Sequence, residues 1–403
     1  MDGERFAALW GSLSSIGKAP DGGGYLRYAW SEADLACREW FTEEALDRGL
    51  SVEADGNGNL FAWWGSAEAG DAVLTGSHFD SVPHGGAYDG PLGIVSAFLA
   101  IDLLRERGRE PNRPIAVAAF TEEEGARFGV ACLGTRLLTG AFDPARARGL
   151  VDRDGVSLAR AMADAGQDPG ALGADAERLA RIGAVVELHI EQGRALADLS
   201  APVGVASAIW PHGRWRLEFT GEANHAGTTR MSDRYDPMLT FAYAVLAANK
   251  EARLQGAHAT IGRVSVEPNA TNAIASSVNG WLDARAADVP TLDKLLGAIM
   301  TRIEDRSTRD GTGFAVTVES ISPATEFDEV LRDRLVTALG GPPVLPTGAG
   351  HDAGVLSAVA PSAMLFVRNP TGVSHSPAEF ATDEDCVAGV IALADGLEAL
   401  ACV

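Results

Sequence analysis

Four short apolar runs, at 72–76, 115–120, 184–190 and 363–367, each give way to a small-residue segment that carries histidines or carboxylates. Runs of this length are too short for a core helix and read as buried strands. Ser77-His78-Phe79-Asp80 follows the first, and Thr121-Glu122-Glu123-Glu124-Gly125 follows the second. The third ends in His189-Ile190-Glu191-Gln192-Gly193, and Ser374-His375-Ser376-Pro377-Ala378-Glu379 lies beyond the fourth. Strands that deliver such groups at their ends, with helical stretches between them, point to an α/β fold. Its sheet would be mixed, mostly parallel and flanked by helices, with a site at the strands' carboxyl ends.

Five residues of metal-binding kinds stand in these segments: His78, Asp89, Glu124, His189 and His375. Asp89 comes from the loop Val82-Pro83-His84-Gly85-Gly86-Ala87-Tyr88-Asp89-Gly90, whose glycines permit tight turns, and its carboxylate can bridge two metals. Asp80, two residues after His78, is placed to accept the other imidazole N–H and fix the tautomer. Three acids at the exit of a core strand need a cation, a proton or solvent to compensate them. A two-metal hydrolase uses neighbouring carboxylates in two ways: one ligates metal while the other shuttles the proton of the attacking water. Taken singly, His-x-Asp suits a structural histidine and the acidic triplet a solvated loop. Four such clusters in one chain favour a shared metal centre.

The chain has 403 residues, of which 46% are apolar, enough for a large core and two domains. A net charge of −22 disfavours nonspecific nucleic-acid or anionic-membrane binding. Cys37, Cys132, Cys386 and Cys402 are scattered without a C-x-x-C pair and fit reduced, buried thiols. The N-terminus lacks a basic segment followed by an apolar one, and no apolar run approaches membrane-spanning length, so a cytoplasmic protein is expected.

Ser31 with Asp34 resembles a helix-capping pair, and Gly49 stands where that helix should stop. Further helices are expected over about 92–107 and 126–139. The run Gly22-Gly23-Gly24 has no strand and helix context for phosphate binding and reads as a loop. From 210 to 322 the pattern becomes βαββαβ, the ferredoxin-like order, with no metal-ligand cluster in it. An inserted lid domain at 210–322 is expected, leaving a discontinuous catalytic domain at 1–209 and 323–403. His225, Asn272 and Arg285 stand at likely element ends of the lid, and His351 lies in the glycine-rich loop Gly348-Ala349-Gly350-His351.

The motifs His78-Phe79-Asp80-Ser81-Val82, Gly85-Gly86-Ala87-Tyr88-Asp89-Gly90, Glu123-Glu124-Gly125-Ala126-Arg127-Phe128, His189-Ile190-Glu191-Gln192-Gly193, His225-Ala226-Gly227-Thr228-Thr229, Gly348-Ala349-Gly350-His351-Asp352 and Ser374-His375-Ser376-Pro377 resemble a known family. It is the hydantoinase/carbamoylase branch of the di-zinc aminoacylase and carboxypeptidase family, and the likeness runs through nearly the whole chain. The resemblance implies two divalent ions per chain, of zinc, manganese, cobalt or nickel. His78, Asp89 and His189 would form one set and Asp89, Glu124 and His375 the other. It makes Glu123 the general base and later the acid, a register that spacing leaves open to Glu122. It assigns His225 to the oxyanion, and Gln192, Asn272 and Arg285 to a substrate carboxylate, with Gly350 and His351 in the pocket. A histidine at 189 suits the carbamoylase branch, whose peptidase relatives tend to carry a carboxylate there. Arg230 departs from the proline of many carbamoylases. The implied reaction is hydrolysis of the ureido C–N bond of an N-carbamoyl-L-amino acid by a homodimer, whose lid lends His225 in cis or across the interface. The alternatives are allantoate amidohydrolase, β-ureidopropionase, a metallo-dipeptidase or N-acyl amino acid deacylase, and a noncatalytic binding protein.

Overall fold

The computed structural model describes residues 1–20 and 23–402, so Gly22 of the early glycine run lies outside the described residues. The chain divides into two units: Met1–Ser207 with Glu326–Val403, and Ala208–Thr325.

The first unit is built on a nine-stranded mixed sheet. Its centre is parallel: Ile115–Phe120, Ala72–His78, Ile182–Ile190 and Ser362–Val367 lie side by side in that order. The flanks are antiparallel, with Leu60–Trp64 against Ile115–Phe120 and Val203–Ile209 against Ser362–Val367. The expected parallel character therefore holds for the centre, where strands are buried on both faces and crossovers supply the covering helices. Pro91–Glu106 is such a helix: a proline at its first turn needs no amide partner, and its apolar residues are buried almost all round. Asp383–Ala401 belongs to the same core. His78 pairs with Phe120 and His189 with Phe366, so the parallel strands finish level and release their loops at one edge.

The Glu32–Asp47 helix starts where the Ser31 hydroxyl accepts the Asp34 amide, and Gly49 at φ 64° ends it, as the sequence indicates. The helix expected over 126–139 is much shorter, Leu133–Leu138. Gly125 and Gly129 at φ 63° and 79°, and Cys132 at φ 52°, are left-handed and break the first half into turns.

The second unit has the order βαββαβ: His212–Thr220, Pro237–Gln255, His258–Glu267, Ser277–Arg285, Val289–Asp310 and Gly313–Ser322. Its antiparallel sheet runs Gly313–Ser322, His212–Thr220, Ser277–Arg285, His258–Glu267, the ferredoxin-like arrangement. Trp215, Leu217, Phe219, Val278 and Leu282 form its core with Leu295, Ile299 and Ile303 of the second helix. Among the described residues no helix is long and apolar enough to cross a membrane. The four cysteines are free; Cys37, Cys132 and Cys386 are buried.

Candidate metal centre

The sheet's level edge brings the five expected ligand residues into two groups that share Asp89. His78, Asp89 and His189 form one, and Asp89, Glu124 and His375 the other, with donor atoms inside each group within 4.8 Å of one another. Asp89 Oδ1 lies 3.2 Å from His189 Nε2 and 3.7 Å from His78 Nε2, while Oδ2 lies 3.4 Å from His375 Nε2. His375 Nε2 is also 3.5 Å from Glu124 Oε2. Gly90, at φ 83°, follows Asp89 so closely beneath the His78 ring that a Cβ there would stand 2.5 Å from Cε1.

The donor set fits divalent cations. Nδ1 of His78 contacts the Asp80 carbonyl at 2.9 Å and Nδ1 of His189 the Ile190 carbonyl at 2.8 Å. Carbonyls only accept, so Nδ1 carries the hydrogen and each Nε2 presents a lone pair toward Asp89. His78 Nε2, His189 Nε2 and Glu124 Oε1 are buried without a hydrogen-bond partner. Lone pairs of imidazole and carboxylate facing one another at these distances need a proton or a cation between them. Without metal, protons fill that role. Burial alone would push the Asp89 carboxyl up, but the neighbouring His189 and His375 hold it well below the carboxylate range. Burial works against His189, yet Asp89 raises it to about 9. The Asp89 hydrogen bond likewise raises His375 to about 9. Burial, then the Asp89 charge, lifts Glu124 to about 8.

The acidic triplet divides its labour. Glu122, at φ 55°, turns away, and its Oε1 accepts the amides of Arg127 and Phe128 at 3.0 and 2.6 Å. Glu123 is buried with Oε2 3.7 Å from His78 Nε2 and Oε1 3.4 Å from the Cys132 thiol. Glu123, not Glu122, thus has its carboxylate at the ligand cluster.

Three expected contacts differ. Asp80 does not hold His78 through its side chain, whose nearer oxygen is 3.6 Å from Nδ1. Its carbonyl takes that role, because the carboxylate accepts the amides of Glu123 and Glu124 at 3.1 and 3.0 Å. Gln192, in left-handed backbone, donates its amide to Asp89 Oδ2 at 2.8 Å, a contact not expected from the sequence. Asn272 and Arg285 do not meet within one chain. The ribbon Asn224–His225 with Ala273–Ile274 is a separate two-stranded sheet that adjoins the Thr220–Ser277 end of the ladder in sequence, whereas Arg285 closes the opposite end against His212. Eight residue steps of about 3.3 Å put roughly 26 Å between the ends.

The remaining candidates keep their places. His225 is exposed and its Nδ1 accepts the amides of Gly227 and Thr228 at 3.0 and 3.2 Å, which puts the ring hydrogen on Nε2. Asn272 and Arg230 are exposed; Arg285 is held by both oxygens of Asp283. Gly350 is exposed beside His351, whose buried ring lies 4.5 Å from that of His189 with both nitrogens unpartnered.

Sequence reading passed over Glu187, Asp352 and Glu379. Glu187 accepts the Ser77 hydroxyl and the Ala353 amide, and Asp352 the Thr135 hydroxyl. A carboxylate inside the apolar run Ala184-Val185-Val186-Glu187-Leu188 was the available signal, since a charge there must find donors.

Comparison with known proteins assigns the chain to a family. Residues 74–399 match the model of peptidase family M20/M25/M40. The chain is 38% identical over 400 residues to an N-carbamoyl-L-amino acid amidohydrolase of Geobacillus stearothermophilus, covering 96% of each chain. It is 33% identical over 399 residues to an allantoate amidohydrolase of Bacillus subtilis (strain 168), covering 96% of this chain and 95% of that one. The crystal structure of a hydantoinase/carbamoylase family amidase from Burkholderia vietnamiensis superimposes with a TM-score of 0.89 at 30% identity, covering 100% of this chain and 98% of that one. The chain belongs to peptidase family M20/M25/M40, in its hydantoinase/carbamoylase branch, and is a hydrolase of C–N bonds other than peptide bonds.

Proposed function

We propose that this chain hydrolyses the ureido C–N bond of an N-carbamoyl-L-amino acid, giving the amino acid, ammonia and carbon dioxide. The observation that carries the reading is the convergence of four other candidate metal donors on Asp89 with the Glu123 carboxylate beside them. The substrate class rests on the 38% identical relative named for that activity. The 33% identical allantoate amidohydrolase makes allantoate the second reading.

Two divalent ions, one at His78, Asp89 and His189 and one at Asp89, Glu124 and His375, would supply Lewis acidity and lower the pKa of water at the site. Glu123 takes the proton of the attacking water and returns it to the leaving nitrogen as the tetrahedral centre collapses. Burial, then Asp352 and Glu124, push its carboxyl well up, which favours its holding the proton it has taken. The carbamate released breaks down to ammonia and carbon dioxide. His225, with its hydrogen on Nε2, donates to the developing oxyanion. Arg285 presents a planar fork to the substrate carboxylate, with Asp283 fixing its plane.

The second unit would act as lid and dimerisation domain. A carbamoyl amino acid is far shorter than the roughly 26 Å between the ladder ends, so His225 and Arg285 of one chain cannot both touch it. A homodimer in which His225 and Asn272 reach the partner's substrate removes the conflict.

The test is ammonia release from N-carbamoyl-L-amino acids, allantoate, N-carbamoyl-β-alanine and dipeptides, with metal added and with chelator, alongside elemental analysis. Metal-dependent turnover fastest on an N-carbamoyl-L-amino acid is expected. Chelator-insensitive activity would overturn the metal reading, and preference for allantoate would transfer the assignment to the second substrate.

A further inference from the structure

The loop that carries Asp89 and the loop that carries His375 are tied by a side chain that ligates nothing in either donor group. Glu379 is buried, and one oxygen, Oε1, accepts the backbone amides of Tyr88 and Asp89, both at 3.0 Å. The other, Oε2, accepts the Ser374 hydroxyl at 2.9 Å. Ser374 Oγ also lies 3.4 Å from Asp89 Oδ2 and directly precedes His375. Gly86 closes the arrangement, since a Cβ there would overlap the Glu379 carboxylate. Asp89 is shared by both donor groups, while His375 enters one.

We infer that Glu379 is a positioning residue that latches the Asp89 loop to the His375 loop, so that the shared ligand and the exposed histidine are set as one unit before metal arrives. The contacts ask for acceptor oxygens at a fixed reach. They do not ask for a negative charge: the three groups facing Glu379 are two backbone amides and a hydroxyl, which an amide oxygen with an adjacent NH2 can also satisfy. Reach is the stringent requirement, because one oxygen spans to two successive amides. A carboxylate held one methylene shorter cannot keep both amides and Ser374.

This separates geometry from charge. Glu379→Gln keeps the acceptor and should bind metal within about threefold of wild type, with kcat similarly preserved. Glu379→Asp keeps the charge but not the reach; outer-shell partners of this kind typically govern about 10- to 100-fold in metal affinity, so a loss of at least tenfold is expected. Gly86→Ala, which displaces the same carboxylate from the opposite side, should resemble Glu379→Asp. Apparent metal affinity is read by competition with a chromophoric chelator, and the melting temperature of each metal-free variant reports folding separately. The inference rests on the metal-centre reading, and the wild-type titration tests that reading alone. If wild type takes up no metal, both fall. If wild type binds and Glu379→Asp binds as tightly, or if Glu379→Gln loses affinity while Glu379→Asp keeps it, the latch is wrong and the metal reading stands. A variant whose metal-free form has melted is replaced by Ser374→Ala, which severs one arm of the latch and should lose metal affinity measurably; unchanged affinity there also overturns the inference.

Discussion

Replacing Asp80 by asparagine tests how the Glu123–Glu124 segment is held. The Asp80 carboxylate is buried and accepts one amide on each oxygen, from Glu123 at 3.1 Å and Glu124 at 3.0 Å. Burial lifts its carboxyl to about 7 against the pull of those two amides. Asparagine keeps one acceptor and turns an NH2 toward the other amide, so one charge-assisted bond is lost and a donor faces a donor. Such a bond contributes about 1.5–3 kcal/mol. If the loss falls on the placement of Glu123 and Glu124, kcat/KM should drop by about 10- to 150-fold. The imidazole of His78 should be undisturbed, since it is held by the Asp80 carbonyl, which the substitution preserves. Steady-state kinetics on the best N-carbamoyl substrate, with metal content and melting temperature measured in parallel, make the comparison. Wild-type kcat/KM in the asparagine variant would refute the reasoning, as would a loss of activity fully explained by loss of fold.

Glu123→Gln should retain metal and fold but lose about 10²–10⁴ in kcat, whereas Glu122→Gln, which keeps an acceptor for the Arg127 and Phe128 amides, should stay active; the reverse pattern would exchange their roles. Arg285→Ala should lower kcat/KM by roughly 30- to 4000-fold on a carboxylate substrate, with Lys restoring only part. Its effect on the corresponding amide should be far smaller, and equal losses on both would leave Arg285 a structural residue. Without metal, burial lifts Glu122 and Glu124 to about 8, and Asp80 to about 7, above their unfolded values near 4. A raised group stabilises the fold below its unfolded pKa and loses that contribution as pH rises through the folded one. His189 and His375, raised to about 9, act in the same direction, while His78, lowered to about 4 chiefly by burial, adds no slope above about pH 6.5. The metal-free protein should therefore melt at progressively lower temperature from about pH 6.5 to 9, as read by calorimetry, and a flat or rising profile would contradict the signs.

The convergence of the five donor residues was legible because their chemistry is concentrated at strand ends, where residue type and the short apolar run carry the signal together. Placement within the triplet was not, because three adjacent glutamates differ only in backbone conformation: the left-handed Glu122 sends its side chain to the 127–128 turn. The Asp80 contact was misread for a related reason. Sequence shows that a carbonyl and a carboxylate are both present at a residue but not which of them a neighbour will claim, and here the 123–124 amides claim the carboxylate. The helix over 126–139 failed where three left-handed residues overrode helical periodicity. Glu187, Asp352 and Glu379 act through backbone amides and hydroxyls distant in sequence, partners that no local pattern displays.

The shared edge of the parallel sheet also dictates when during folding the chain could first hold a metal. The donors run from residue 78 to residue 375, and the pairing of Ile182–Ile190 with Ser362–Val367 comes after the whole second unit in sequence. No local segment offers more than a fraction of either donor group, so an ion has little purchase on the unfolded chain and cannot nucleate collapse in the manner of a zinc finger. A bound metal would act instead as a ligand of the finished fold, stabilising it in proportion to the logarithm of its free concentration over Kd. Synthesis would therefore have to pass residue 375 before both donor groups could be completed.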